Sequence, residues 1–242
     1  MYTIDDIKVT LLNKEEVQNF IKKLGEIATV CYNTNEKYSE KVGESCLESG
    51  HLSGSRGDYF KFEIECPRYT ADQIMRHEVG VFKNCQSQRF VSNEKVELYI
   101  SPRLLMDASS RYKMKQYEIT VNIYYKDLVN ECKELKFDDK TTNDYVRTML
   151  PIGVKTKLRI GFTLEGLINF MNKRLCARAD EPIRRVALLM KNQVIDIEPR
   201  YEKFLVPMCE RMLFCSEKES CGYKPKKEDL EKIYKEYYNY KE

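Results

Sequence analysis

The residues best suited to chemistry fall in one stretch, residues 73–90. It joins one of the chain's two histidines, His77, to arginines and small polar side chains. We expect the stretch to begin on a helix and to continue as a polar turn that ends in Ser87, Gln88 and Arg89. Hydroxyl, amide and guanidinium groups in one turn can all donate to the same anion. The stretch therefore predicts a phosphate-binding turn that needs no glycine-rich loop.

Other polar residues could complete such a site. Gln73 and Arg76 are three residues apart on the predicted helix and therefore share a face. Arg147 lies just before Leu150 and Pro151, and Arg174 ends another predicted helix. Each hydrogen bond to a charged phosphate contributes roughly 1.5–3 kcal/mol. The alternative for each arginine is a solvated side chain, or a pair with one of the 38 acidic residues.

Several other kinds of site are disfavoured by the sequence. No second histidine follows His77 at metal-binding spacing, and the dinucleotide, P-loop and nucleophile-elbow motifs are absent. A satisfied helical histidine is the alternative interpretation of His77. The net charge, 41 − 38 = +3, lacks the strong basic excess of a duplex-binding protein. We therefore predict neither a metal-dependent hydrolase nor a partner of polymeric nucleic acid.

The cysteines also limit the possibilities. Three of the nine, Cys209, Cys215 and Cys221, have the spacing C-x5-C-x5-C, whereas zinc sites use shorter spacings and four ligands. We expect free thiols and no metal. No apolar run approaches the roughly 20 residues of a membrane span, and the N-terminus does not resemble a signal peptide. The expectation is a cytoplasmic protein without a membrane partner.

Hydrophobic periodicity and capping residues predict the elements that must position these side chains. Four helices are predicted from their N-caps: Asn13, Thr70 for the helix carrying residues 73–77, Thr163 for 164–174, and Asp180. Three more are predicted with both ends: from Ser39 to Gly50, from 109 to 135, and from Thr142 or Asn143 to Pro151. The predicted strands cover 58–66 and 157–162. This pattern is typical of an α+β fold with a mixed or antiparallel sheet flanked by long helices. We expect one domain over 1–222, followed by a charged tail over 223–242.

Several blocks resemble, in order and spacing, the flavin-dependent thymidylate synthases. The family signature is R-H-R, seven residues, then S-[GQ]-R-Y, which Arg76-His77-Glu78 and Ser87-Gln88-Arg89-Phe90 resemble. Further similar blocks lie at 28–32, 50–51, 147–151, 169–174 and 179–185. The resemblance extends over about residues 25 to 222.

The resemblance implies a homotetramer whose active sites are shared between subunits. It implies methylene transfer from methylenetetrahydrofolate to deoxyuridylate (dUMP), with bound FAD supplying reducing equivalents from NADPH, and no cysteine attacking the pyrimidine. The residues implied to hold deoxyuridylate are Gln73, Arg76, Ser87, Gln88, Arg89, Arg147 and Arg174, of which Ser87, Arg89 and Arg174 are implied to be catalytic. The residues implied to bind the flavin are His77, Glu78, Asn84, Asn169 and Arg178.

The chain departs from the family pattern at charged positions. Glu78 stands where the family has arginine, Glu165 where arginine is usual, and Arg56 where a glutamate is frequent. An arginine ~4 Å from a flavin phosphate attracts it by about 4 kcal/mol at an effective dielectric of 20, and a glutamate would repel it equally. We therefore expect either local pairing, of Arg56 with Glu78 or Glu165, or an altered cofactor pocket.

Two alternatives to a thymidylate synthase follow from these departures. One is a related enzyme that modifies another pyrimidine nucleotide such as deoxycytidylate. The other is a nucleotide-binding protein that has lost catalysis.

Overall fold

The computed structural model describes residues 1–92 and 95–239. An antiparallel sheet has the strand order β1-β2-β4-β3. The strands are β1 (Lys8–Leu11), β2 (Phe60–Pro67), β3 (Val81–Cys85) and β4 (Lys155–Phe162). Both predicted strands, β2 and β4, are confirmed and lie in the middle of the sheet. The edge strands β1 and β3 were not predicted.

Helices make up most of the remaining regular structure. They are α1 (Lys14–Val17), α2 (Phe20–Tyr32), α3 (Ser39–Ser49), α4 (Arg68–Met75), α5 (Pro102–Met106), α6 (Ala108–Glu134), α7 (Asp139–Val146), α8 (Leu164–Arg174), α9 (Glu181–Ile195), α10 (Met208–Met212) and α11 (Lys227–Asn239). The α+β class is thereby confirmed. No helix among the described residues is long and apolar enough to cross a membrane. The predicted charged tail contains α11, and its residues 240–242 lie outside the described part.

The chain divides into two compact units, each assembled from interleaved segments. The first consists of Met1–Thr10, Phe62–His77 and Phe82–Ile160, and contains most of the sheet. The second consists of Leu11–Lys61, Glu78–Val81 and Gly161–Glu242. In the first unit a buried cluster is formed by Val96, Leu98, Val121, Tyr125, Cys132, Val146 and Val154. In the second, the Phe60 ring makes edge-on contacts with Phe20 and Tyr201.

The long helix α6 confirms the helix predicted over 109–135 and has two apolar faces. Val121 and Tyr125 are buried in the core of the first unit. Tyr112, Ile119 and Ile123 are exposed. At 3.6 residues per turn these three share a stripe on the side opposite the buried pair. An exposed apolar stripe of this kind is typical of a surface that another protein covers.

Several predicted helix boundaries are wrong. Thr70 does not cap α4, because Pro67 occupies the N-cap position with extended backbone and Thr70 is buried inside the helix. The α4 helix ends at Met75, so Arg76 is its C-cap and His77 lies beyond it. The helix before Pro151 starts at Asp139, not at Thr142 or Asn143, because the Asp138 side chain accepts from the Thr141 amide and caps it.

The N-terminal helix differs from its prediction in another way. Asn13 does occupy the N-cap position, but its side chain makes no capping bond. It instead donates to Glu16 and to the Tyr59 carbonyl, and accepts from the Lys61 amide. The predicted helix is divided into α1 and α2.

Residues 73–90 are also not a helix that runs directly into a polar turn. Strand β3 lies between the end of α4 and Ser87, because its main chain pairs with β4 at the sheet edge. The two halves of the predicted phosphate site therefore come from opposite ends of β3.

Candidate functional site

The C-terminal end of α4 is held against β3 by Lys83. The Lys83 ammonium donates to the carbonyl oxygen of His77 at 2.9 Å and also to that of Met75. A cation at this position satisfies carbonyls that a helix end leaves without intrahelical partners. Gln73 is half-buried on α4, and its Oε1 atom is buried without a hydrogen-bond partner among the described residues. An unsatisfied buried acceptor of this kind is a candidate ligand contact.

The turn after β3 is fixed at both of its ends. The Gln86 amide donates to the Lys157 carbonyl at 2.8 Å, which ties the start of the turn to β4. The Arg89 amide donates to Ser87 Oγ at 3.3 Å, and the Arg89 carbonyl accepts from Asn143 Nδ2 at 3.2 Å. The Ser87-Gln88-Arg89 turn is thus anchored to α7.

Asp144 brings two of the predicted phosphate ligands together. Arg89 donates to it through Nε at 2.7 Å and Nη2 at 2.8 Å, and Arg147 Nη2 lies 3.3 Å from the same carboxylate. The bonds from Arg89 hold the pKa of Asp144 below its usual range and raise the pKa of Arg89. Asp144 was not among the residues predicted from the sequence. Its signal was an acid three residues before Arg147, close enough for a contact on one helix face.

In the second unit, segment 78–81 packs against the N-terminus of α8. Gly80 has φ +61°, and a Cβ atom built there would lie 2.1 Å from Thr163 Oγ1. The Thr163 amide donates to the Gly80 carbonyl at 2.8 Å, while the Thr163 hydroxyl accepts from the Gly166 amide and caps α8 as predicted. Glu78, in the same segment, has an exposed side chain.

The charge reversals at positions 56 and 165 compensate each other. Arg56 Nε lies 3.1 Å from Glu165 Oε2, and Nη2 lies 3.4 Å from Oε1. This confirms the expected pairing with Glu165. The resemblance implies a glutamate and an arginine at these positions, and this chain has the opposite charges, which neutralise each other.

The remaining predicted site residues are distributed over both units. His77 is buried, at 7% exposure, and Asn84 is exposed on β3. In the second unit Asn169 and Arg174 are half-buried on α8, and Arg178 forms an exposed ion pair with Glu219 at 2.8 Å. All predicted nucleotide ligands except Arg174 lie in the first unit.

Within this α+β fold, the turn after β3 and the end of α7 bring Arg89 and Arg147 to one carboxylate, that of Asp144. Comparison with known families makes the assignment specific. The family model described as "Thymidylate synthase complementing protein" matches residues 12–200. The chain belongs to this family.

Curated relatives agree with the family match. The chain is 28% identical over 189 residues to a flavin-dependent thymidylate synthase of Nitratidesulfovibrio vulgaris, covering 77% of each protein. It is 26% identical to the one of Clostridium tetani, covering 94% of this chain and 97% of the relative. It is 29% identical to the one of Pyrococcus furiosus, covering 88% and 91%. These matches favour a thymidylate synthase over both alternatives raised by the sequence.

Proposed function

We propose that this protein methylates deoxyuridylate reductively to thymidylate, with FAD as cofactor and with NADPH and methylenetetrahydrofolate as co-substrates. The observation that carries the proposal is the meeting of Arg89 and Arg147 at Asp144. Guanidinium groups fixed at one carboxylate keep their remaining N–H donors in place, which suits a phosphate dianion. The family match supplies the class of reaction.

Each nucleotide-binding residue has a distinct part in this proposal. Arg89 and Arg147 hold the phosphate, and Ser87 and Gln88 offer their hydroxyl and amide from the anchored turn. Gln73 and Arg76 lie at the end of α4, where the buried Oε1 of Gln73 can accept from the nucleotide. Arg174 stabilises negative charge that develops on the pyrimidine during methylene transfer.

The residues present are compatible with a flavin. Arg56 and Glu165 neutralise each other in an ion pair, so neither of these two departures leaves an unpaired charge. His77, Glu78, Asn84, Asn169 and Arg178 are the residues that we propose for flavin binding, and the imidazole, amide and guanidinium groups among them can donate to flavin oxygens and phosphates. When bound, FAD relays the reducing equivalents of NADPH to the nucleotide. The protein residues bind and orient the reactants.

The proposal includes a homotetramer working in the cytoplasm. The exposed stripe of Tyr112, Ile119 and Ile123 on α6 supports the assembly, because it offers apolar area that a second copy can bury. We also propose that residues 1–222 act as one catalytic domain, with 223–242 as a tail. The interleaving of both units along the chain supports this, since neither unit is continuous in sequence.

The test is a spectrum and a product assay on the purified protein. We expect flavin absorbance, and thymidylate formed from deoxyuridylate, methylenetetrahydrofolate and NADPH. The same assay with deoxycytidylate should give no methylated product. A colourless protein that takes up no FAD and makes no thymidylate would overturn the proposal.

A further inference from the structure

Four cysteines line one cavity in the second unit. The cavity has a volume of about 220 Å³ and lies beside the end of α8 and the segment 207–224. Its cysteines are Cys176, Cys209, Cys215 and Cys221. We name it the thiol cavity. The sequence pattern showed only the last three of these residues, and the tertiary structure adds Cys176, which follows Arg174 by two positions.

The loop that carries Cys176 is attached to the C-terminal segment. The Arg178 amide donates to Cys176 Sγ at 3.5 Å, which holds the sulfur against its own loop. The Arg178 guanidinium pairs with Glu219 at 2.8 Å. The two sides of the thiol cavity are therefore joined by an ion pair but by no covalent bond, since the cysteines are free thiols.

The cysteines of the cavity differ in environment. Cys221 is exposed, Cys176 and Cys209 are half-buried, and Cys215 is buried. Burial raises the pKa of the Cys209 thiol, and Cys176, Cys215 and Cys221 raise it further, Cys176 having the largest effect of the three. Each of these three thiols is therefore within electrostatic reach of Cys209. Cys209 stays protonated at neutral pH, which makes it a weak first nucleophile.

A buried acceptor is available in the same cavity. Asn172 lines it and is 4% exposed, and its Oδ1 atom has no hydrogen-bond partner among the described residues. A cysteine sulfenic acid carries an O–H group that could donate to this oxygen. The cavity thus contains thiols together with a group that stabilises the first product of thiol oxidation.

We propose that the thiol cavity is a site of reversible oxidation, in which a hydroperoxide joins Cys176 and Cys209 in a disulfide. Hydrogen peroxide first transfers an oxygen atom to the Cys176 sulfur, giving a sulfenic acid and water. The Cys209 sulfur then attacks that sulfur, forming the S–S bond as the hydroxyl leaves with the Cys209 proton as a second water. Two thiols and one peroxide give one disulfide and two waters. A small thiol reverses the reaction by exchange.

Binding of a metal ion is the alternative to disulfide formation for four cysteines in one cavity. Zinc prefers four thiolates at tetrahedral positions. Among residues 1–92 and 95–239, however, no three side chains of cysteine, histidine, aspartate or glutamate converge closely enough to hold a metal ion. The arrangement favours reaction between two thiols.

The experiment is peptide mapping of the full-length protein after treatment with hydrogen peroxide. Trypsin places each cysteine of the cavity on its own peptide: Cys176 on 175–178, Cys209 on 204–211, Cys215 on 212–218 and Cys221 on 219–226. We expect peptides 175–178 and 204–211 to be linked without reductant and separate after dithiothreitol. Cys209→Ser should abolish the link, and the matched variant Cys215→Ser should retain it.

Several outcomes would overturn the inference. One is that Cys176 remains an unmodified thiol at a peroxide concentration that oxidises the exposed Cys31 of α2. Another is linkage of Cys176 to Cys215 or Cys221 instead. A third is one zinc ion per protomer in the purified protein that Cys209→Ser releases. None of these depends on catalysis, so failure here is distinguishable from failure of the proposed function.

Discussion

The Arg89 guanidinium donates two hydrogen bonds to the Asp144 carboxylate, from Nε at 2.7 Å and from Nη2 at 2.8 Å. The residues are 55 positions apart in the chain, and Asp144 also contacts Arg147. Asp144 is therefore a positioning residue for the proposed phosphate site. It orients two cations that would otherwise repel each other and sample many rotamers.

Replacing Asp144 should test that role. We expect Asp144→Ala to weaken deoxyuridylate binding about tenfold, because both arginines lose their fixed orientation. Calorimetric titration with deoxyuridylate measures this. Asp139→Ala, on the same helix, is the control and should bind normally. Unchanged affinity in Asp144→Ala would show that the arginines need no anchor.

Replacing the arginines themselves should weaken deoxyuridylate binding at least as much as replacing Asp144. Arg89→Ala and Arg174→Ala should each weaken deoxyuridylate binding roughly ten- to a hundredfold while the fold stays intact, as expected for lost hydrogen bonds to a charged ligand. Arg159→Ala is a suitable control, since Arg159 is an exposed arginine paired with Glu63 on the sheet. If both variants bind as well as the control, the assignment of the nucleotide site is wrong.

The Arg56–Glu165 pair can be reversed. Arg56→Glu alone places two glutamates together, and Glu165→Arg alone places two arginines together, so each should reduce flavin retention. The double variant restores opposite charges and should recover it. Flavin absorbance per protomer after gel filtration is the measurement. Additive losses in the double variant would mean that the pair does not act as a unit.

Gly80 tests the packing of segment 78–81. Gly80→Ala forces a Cβ into contact with Thr163 Oγ1 and places an alanine at a position with positive φ. We therefore expect a loss of roughly 1–3 kcal/mol in the free energy of unfolding. Gly50→Ala separates the two causes, because Gly50 also has positive φ but has open space around it. Equal losses in the two variants would show that the contact with Thr163 contributes nothing.

Glu198 should contribute to the acid sensitivity of the fold. This residue is buried, and hydrogen bonds from Arg200 lower the pKa of its carboxyl below the ordinary 4.5. A depressed pKa in the folded state contributes stability that is present above the unfolded value and is lost as the pH falls through the folded value.

The change that tests this is Glu198→Gln. We expect the free energy of unfolding at pH 7 to fall by roughly 1.5–3 kcal/mol, and its decline below pH 4.5 to become shallower than in the wild type. Urea denaturation from pH 3.5 to 7 gives both quantities, with Glu15→Gln, an exposed glutamate, as the comparison. An identical acid slope in Glu198→Gln and the wild type would contradict the prediction.

The pattern of apolar residues along the sequence was sufficient to predict those strands and helices whose own residues alternate or repeat in hydrophobicity. Strands β2 and β4 are central in the sheet, so one whole side of each is buried and the residues alternate visibly. Strands β1 and β3 are short edge strands in which Leu11 is the one buried residue, so their alternation is too short and too weak to predict a strand. The long helix α6 was predicted because its apolar residues repeat at helical spacing, although two residues of that repeat, Tyr117 and Tyr124, are exposed.

The sequence by itself determined which residue types are available, in which order, and which family they resemble. Only the tertiary structure decided that Asp144 anchors Arg89, that Arg56 pairs with Glu165 and that Cys176 joins three distant cysteines. The physical reason is that periodicity and capping depend on neighbours a few residues away. An ion pair or a shared cavity depends on backbone segments that chain folding brings together from far apart.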